Sequence, residues 1–221
     1  MTLQKGYDII SQIPNKSFSE IFNGQDLSDI IKNKGKTGQL LETIILKLNL
    51  SNTKLDFIDG ELKTNKCKAN GEPSETVAVC QISSHFDEMI DDNFNFNNNY
   101  IIDKISNMIY VRVDKSNSNP ANWKFLPPQH ICIKNKKYIF WYDKIKEDLK
   151  EICQYMQQIC KNNQMLHTTK GSGHYIQIRT KDTAPYHPIY SNTYNKIVSD
   201  KNFAIYITKD GLNELIKLNM E

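Results

Sequence analysis

Arginine is almost missing from this sequence: of 28 Lys and Arg residues only Arg112 and Arg179 carry a guanidinium. A chain that spends lysine nearly everywhere keeps an arginine where a planar, forked donor is wanted rather than bare charge. Excess charge of one sign is scarce too. The 28 basic residues face 25 acidic ones for a net +3, which by itself announces no nucleic-acid partner. No apolar run approaches the roughly 20 residues that span a bilayer, and the opening MTLQKGYDII lacks the apolar region and cleavage signature of a secretory leader. The expectation is a cytoplasmic protein with no membrane partner. Five cysteines occur without a CxxC pair, which removes zinc and disulfide frameworks and leaves buried thiols. The five histidines show neither HExxH nor another metal spacing, and GxGxxG, the P-loop and internal repeats are absent. What is present, 221 residues with 39% hydrophobic and 24% charged, suffices for one domain, or a domain plus an arm.

Residues 1–30 read as short helical pieces, with Asp26 as an N-cap before Leu27, Ile30 and Ile31. After the basic glycine turn NKGKTG, residues Leu40, Leu41, Ile44, Ile45 and Leu48 recur at helical spacing and carry Glu42 with them. The stretch 54–64, followed by the turn-rich NKCKANGEPSE, predicts a strand and hairpin. Three β-rich runs, 76–82, 108–113 and 137–142, predict a central sheet, while the asparagine-rich DDNFNFNNNY reads as loop. A helix is expected from about Asp143 to Lys161, with Ile145, Leu149, Ile152, Cys153, Met156, Ile159 and Cys160 on one face and Glu147, Asp148, Lys150 and Glu151 on the other. HYIQIRT and FAIYIT are further strand-like runs, and GLNELIKL closes as a short helix. Trp123, Trp141, Met156 and Met165 are assigned to packing.

The most informative string is Asp56-Phe-Ile-Asp-Gly-Glu61-Leu-Lys63. Glu61 and Lys63 stand two apart on a strand and so share a face, while Asp56 enters from the preceding turn. Two carboxylates and an ammonium converging there could hold a hard divalent cation with a lysine beside it, the set that phosphodiester hydrolysis needs. A solvated strand edge bearing Glu and Lys is the alternative.

The string does not stand alone. Lys34-Gly35-Lys36-Thr37-Gly38-Gln39-Leu40-Leu41-Glu42 precedes it, Glu61-Leu62-Lys63-Thr64 completes it, and Glu75-Thr76 with Val79 follows. In that order these motifs resemble the MutH and Sau-type endonuclease family, a branch of the PD-(D/E)XK nuclease superfamily. The resemblance resumes at IFWYDKIKEDLKEICQYMQQI, GHYIQIRTKD and AIYITKDGL, and so covers most of residues 32–215. The interval from Asp56 to Glu61 is shorter than in MutH itself, which leaves Asp59 as a competing carboxylate.

The resemblance implies an α/β fold: a restriction-endonuclease-like mixed sheet flanked by helices, with a catalytic lobe (1–142, including an N-terminal helical arm) and a C-terminal DNA-recognition lobe (143–221). It implies that Asp56 and Glu61 are ligands of Mg²⁺ with the Leu62 carbonyl sharing the ion, that Lys63 sits at the attacking water, and that Glu42 and Lys104 complete the catalytic centre, a salt-bridged helix glutamate and an ordinary surface lysine being their alternatives. DNA contacts are expected from Lys34, Gly35, Lys36 and Gly38, whose turn opens a helix and suits a phosphate, a flexible basic loop being the alternative. Arg179, Lys181, Tyr206 and Lys209 fall in segments matching the family's recognition region, with Arg179 as base reader and a strand-surface salt bridge as its alternative. The family's proline after this arginine is Thr180 here. The function implied is a type II restriction endonuclease cutting double-stranded DNA at a GATC-like target as a homodimer. The alternatives are a MutH-like mismatch-repair nickase switched on by a MutL-like activator, and a DNA-binding module without catalysis.

Overall fold

A computed structural model describes residues 1–24, 26–28, 37–48, 55–169, 171 and 173–220. Lys34, Gly35 and Lys36 lie outside the described residues. In chain order the first half holds α1 (Leu3–Ile10), α2 (Phe18–Ile21), α3 (Thr37–Leu40) continuing as a π-helical turn (Leu41–Ile45), β1 (Glu61–Cys67), β2 (Val77–Gln81), α4 (Phe86–Met89) and α5 (Tyr100–Ser106). The second half holds β3 (Asn107–Asp114), β4 (Lys124–Phe125), β5 (Gln129–Cys132), α6 (Ile139–Lys161), β6 (Ile176–Thr180), β7 (Ile189–Ser191), β8 (Lys196–Ser199), β9 (Phe203–Ile207) and α7 (Lys209–Leu218). The fold is mixed α/β with several sheets.

The chain divides into two compact units. The first takes in Met1–Glu75 and Lys104–Lys134, the second Thr76–Asp103 and Asn135–Glu221. Each unit is therefore built from two stretches of chain, a different division from the single cut expected after residue 142.

In the first unit β1 pairs in parallel with β3, and β4 and β5 pair antiparallel with β3, giving a mixed sheet. The expected hairpin after β1 is a tight antiparallel return, with a bridge between Cys67 and Pro73 and backbone hydrogen bonds from Lys68 to Glu72 and from Ser74 to Lys66 across the Gly71 turn. Arg112, one of the two arginines, closes this turn by donating to the Gly71 carbonyl at 3.0 Å. One sheet face supplies Leu62, Ile109, Val111 and Val113 to a core shared with Leu3, Ile10, Leu40 and Leu41. Phe18, Phe22, Trp123 and Phe125 extend it, with the Phe18 and Phe125 ring centroids 4.8 Å apart. The N-terminal helices are present, but the cap after α2 is Asn23, whose Oδ1 accepts from the Asp26 N–H, so Asp26 is not the capping residue there.

In the second unit β2, β9 and β6 form a three-stranded antiparallel sheet, and β7 and β8 pair separately. The one central sheet expected from the β-rich runs is thus several sheets. One of those runs, 137–142, is helical: α6 begins at Ile139 after a 3-10 turn over Lys136–Tyr138. The residue types favour strand, yet Tyr138, Trp141, Ile145 and Leu149 are buried at helical spacing while Ile139 and Phe140 are exposed, so tertiary burial selects the period of 3.6 over that of 2. Trp141 anchors α6 by donating its indole N–H to the Gly211 carbonyl at 2.9 Å. Both tryptophans are core residues, whereas Met165 is exposed. None of the five cysteines forms a disulfide, and all but Cys132 are buried. No described helix is long and apolar enough to cross a membrane.

Candidate active site

The first unit brings five of the candidate residues together, and the turn before β1 does most of the positioning. Gly60 passes so close to the neighbouring chain that a Cβ there would stand 2.5 Å from the Asn107 carbonyl oxygen, so the approach needs glycine. The turn is closed by a backbone hydrogen bond from Phe57 N–H to the Gly60 carbonyl. Asp56 then folds back onto the strand it precedes: its Oδ2 accepts from the Leu62 N–H at 2.9 Å, and its own N–H donates to Glu61 Oε2 at 3.3 Å.

Glu61 is the buried hub, 3% exposed. Lys63, two residues on and sharing its face of β1, donates to Glu61 Oε1 at 2.6 Å. From α5, Lys104 Nζ reaches both oxygens of the same carboxylate, at 3.0 and 3.1 Å, and is itself 8% exposed. A lysine buried to that degree is held by ionic partners, since an ammonium leaves water only for opposite charge. Glu42 enters on the π-helical turn, a distortion that often marks functional sites. Burial, and then the nearby Asp56 and Glu61 carboxylates, push its carboxyl up to about 7, with Lys63 acting in the opposite sense.

Asp59, the competing carboxylate, is engaged elsewhere. Its Oδ1 accepts from the Leu3 N–H at 2.7 Å, which ties it to the first turn of α1, and its backbone carbonyl accepts from Asn107 Nδ2 at 2.6 Å. Asp56, not Asp59, joins Glu42 and Glu61.

A cleft of about 580 Å³ opens beside β1 in the same unit, walled by Thr37, Gly38, Thr64, Asn65, Lys66 and Lys115 among others. Gly38 packs against Thr64 so closely that a Cβ would meet its hydroxyl at 2.7 Å. Glu42, Asp56 and Glu61 are not among the residues that line this cleft, whose β1 wall runs from Thr64 to Lys66.

The donor chemistry fits a hard cation, since Asp56, Glu61 and Glu42 offer carboxylate oxygens and the strain on Glu42 is what a nearby positive charge would relieve. Among the described residues no three His, Cys, Asp or Glu side chains form a ready-made metal cage.

The second unit assembles the other candidates. Arg179 on β6 is exposed, donates from Nη1 to Thr76 Oγ1 at 2.9 Å, and lies over the Tyr206 ring with its guanidinium carbon 5.4 Å from the centroid. No carboxylate is bonded to its guanidinium among the described residues, so the salt-bridge alternative has no partner there. Lys181 and Lys209 are exposed, one just past β6 and the other at the first position of α7.

Asp148 was expected on the polar face of α6 and is instead 1% exposed. It accepts from the Tyr175 and Ile176 N–H groups, from His174 Nδ1 at 2.9 Å, and pairs with Lys144 at 3.3 Å. The only sequence signal was the Lys144 four residues before it, a spacing too common on helices to single it out. Compared with models of known protein families and with curated proteins, the chain matches none.

Proposed function

We propose that the protein is a metal-dependent endonuclease acting on double-stranded DNA, in the manner of a type II restriction enzyme. The observation that carries this reading is the convergence of Glu42, Asp56, Glu61, Lys63 and Lys104 in one unit around a single buried carboxylate.

Each residue has work in the hydrolysis of a phosphodiester. Asp56 and Glu61, with the Leu62 carbonyl, would hold Mg²⁺. When bound, the cation offsets phosphate charge and lowers the pKa of water. Lys63 supplies a mobile donor at 2.6 Å from Glu61, suited to orienting the attacking water and to offsetting charge on the phosphorane-like transition state. Lys104 grips both Glu61 oxygens and so fixes the carboxylate's plane. Glu42, whose carboxyl burial and the neighbouring carboxylates push up to about 7, would accept from water once ionised. The exposed Arg179, with the half-buried Tyr206 ring beneath it on the second unit's sheet, would supply the sequence-reading surface that a restriction enzyme requires.

The test is cleavage of supercoiled plasmid by the purified protein in Mg²⁺ and in EDTA. Cleavage in Mg²⁺ alone is expected, with Asp56→Ala losing about a hundredfold or more in rate while retaining DNA binding, and Asp59→Ala remaining active. An active Asp56→Ala protein, or cleavage undiminished in EDTA, would contradict the assignment.

A further inference from the structure

The three-stranded sheet of the second unit has one apolar face and one mixed face, exposed at Arg179 and Gln81 and buried at Gln177 and Ala204. Residues Ile176, Ile178, Phe203, Ile205 and Ile207 are buried on the first. The second carries Arg179, Ala204 and Tyr206, and strand register shows what else joins them. Arg179 is paired with Ala204, and Ala204 on its other side with Gln81 of β2. Laterally paired residues project to the same face, so Arg179, Ala204 and Gln81 form one row across the sheet.

Gln81 reaches that row only because β2 is irregular. The register runs Ala78 to Tyr206 and then Cys80 to Ile205, with Val79 as the extra residue of a bulge. In a regular strand Ala78 and Cys80 would share a face and Gln81 would turn into the core; one inserted residue reverses this. Burial agrees, since Val79 and Cys80 are both buried and Gln81 is exposed. Gln81 is also held, its Oε1 accepting from Asn202 Nδ2 at 2.9 Å, and Asn202 is 6% exposed. Between the two long polar side chains stands Ala204, itself buried, while Arg179 and Gln81 are exposed on either side of it.

We propose that Gln81 is a specificity-determining residue that reads an adenine, beside a guanine read by Arg179, when this mixed sheet face lies against the major groove. This rests on the DNA-cleavage reading above and names part of its target. A carboxamide fits adenine bidentately, its N–H donating to N7 and its oxygen accepting from the N6 amino group. The amide oxygen has a second lone pair, so it accepts from Asn202 and from the base together. Two strand spacings separate the row's ends, roughly 10 Å, which corresponds to about three base-pair steps at 3.4 Å each. The guanine and the adenine should therefore lie within about three positions of one another.

The decisive experiment is selection from a randomised duplex library by the full chain, with Ca²⁺ replacing Mg²⁺ to hold back cleavage, repeated with Gln81→Ala, Gln81→Glu and Arg179→Lys. The wild type should enrich a site containing both bases. Gln81→Ala should lose preference at the adenine position by about tenfold or more and keep the guanine, and Arg179→Lys should do the reverse. Gln81→Glu keeps the bond from Asn202 but offers only acceptors, so it should move the preference at that position toward cytosine, whose N4 amino group donates. A change of preference cannot come from misfolding. A wild-type protein that enriches a site while both Gln81 variants enrich the same one overturns the role of Gln81 alone. A wild-type protein that enriches no sequence overturns the DNA reading and this inference together.

Discussion

Glu42 shows how a single side chain reports on its surroundings. Its carboxyl titrates near 7 rather than at the ordinary 4.5 because burial and two neighbouring carboxylates disfavour the ion. Between those two values the folded protein binds a proton that the unfolded chain has released, so stability falls as pH rises through this window and stays reduced above it. Glu42→Gln removes the penalty. Solvent still reaches part of this carboxyl and screens it, so the gain at pH 8 should be about 1 kcal/mol, or about 2–4 °C in melting temperature. The difference should vanish at pH 4, where both states of the wild type are protonated, and millimolar Mg²⁺ should narrow it at pH 8 by stabilising the wild type. Differential scanning calorimetry at the two pH values decides, and an equal effect at both would rule out ionisation as the cause. Much of this cluster is legible in the sequence. The spacing of Glu61 and Lys63 dictates a shared face, while Glu42 and Lys104 were expected only from the family resemblance. What spacing could not decide was Asp56 against Asp59, because that choice hangs on a contact with the Leu3 N–H 56 residues away.

At the scale of elements, legibility follows periodicity and fails where a distant contact overrides it. The strands β6 and β9 and the helix α7 lie where alternation and helical spacing put them. The start of α6 does not, since aromatic and β-branched residues were read by type while burial obeyed the helical period. The bulge in β2 leaves no mark in sequence, because it is defined by its partner strand. Asp148 joins α6 to β6 by accepting two backbone N–H groups at the strand's entrance, groups that no ladder partner satisfies there. Asp148→Ala should strand both donors in a buried place and leave Lys144 without its i,i+4 partner. The cost should be about 3 kcal/mol, read as a lowered urea midpoint. A change below about 1 kcal/mol would mean that water replaces the carboxylate. Asp182 does similar work beyond β6, where hydrogen bonds from the His187 side chain and backbone, followed by those from Asn202 and Thr183, hold its carboxyl below the usual range. A lowered carboxylate pKa contributes stability above the unfolded value that is lost as pH falls, so this loop should loosen only in acid.

For the whole molecule, the informative fact is that each chain carries one such cluster of carboxylates and lysines among its described residues. If the proposed cleavage holds, one centre of this kind would cut one strand, so a double-strand break would require either two chains acting together or two successive encounters. A homodimer meeting a symmetric site with its own two-fold symmetry makes the first arrangement natural. The two arrangements are separated by mixing. In a tenfold excess of Asp56→Ala protein, nearly every wild-type chain that pairs will pair with an inactive one, and the mixed dimer has a single working centre. Supercoiled plasmid should then stop at the nicked circle, whereas the wild type alone carries it through to the linear form. The inactive protein in excess also competes for sites, but competition slows both cuts and does not raise the ratio of nicked to linear product. Dilution offers an independent check, because a dimer that assembles on DNA gives a rate rising more steeply than linearly with protein concentration. If the ratio of nicked to linear product is unchanged by the inactive partner and the rate is linear in protein, the chains act singly, and any linear product comes from two successive encounters rather than from a paired cut.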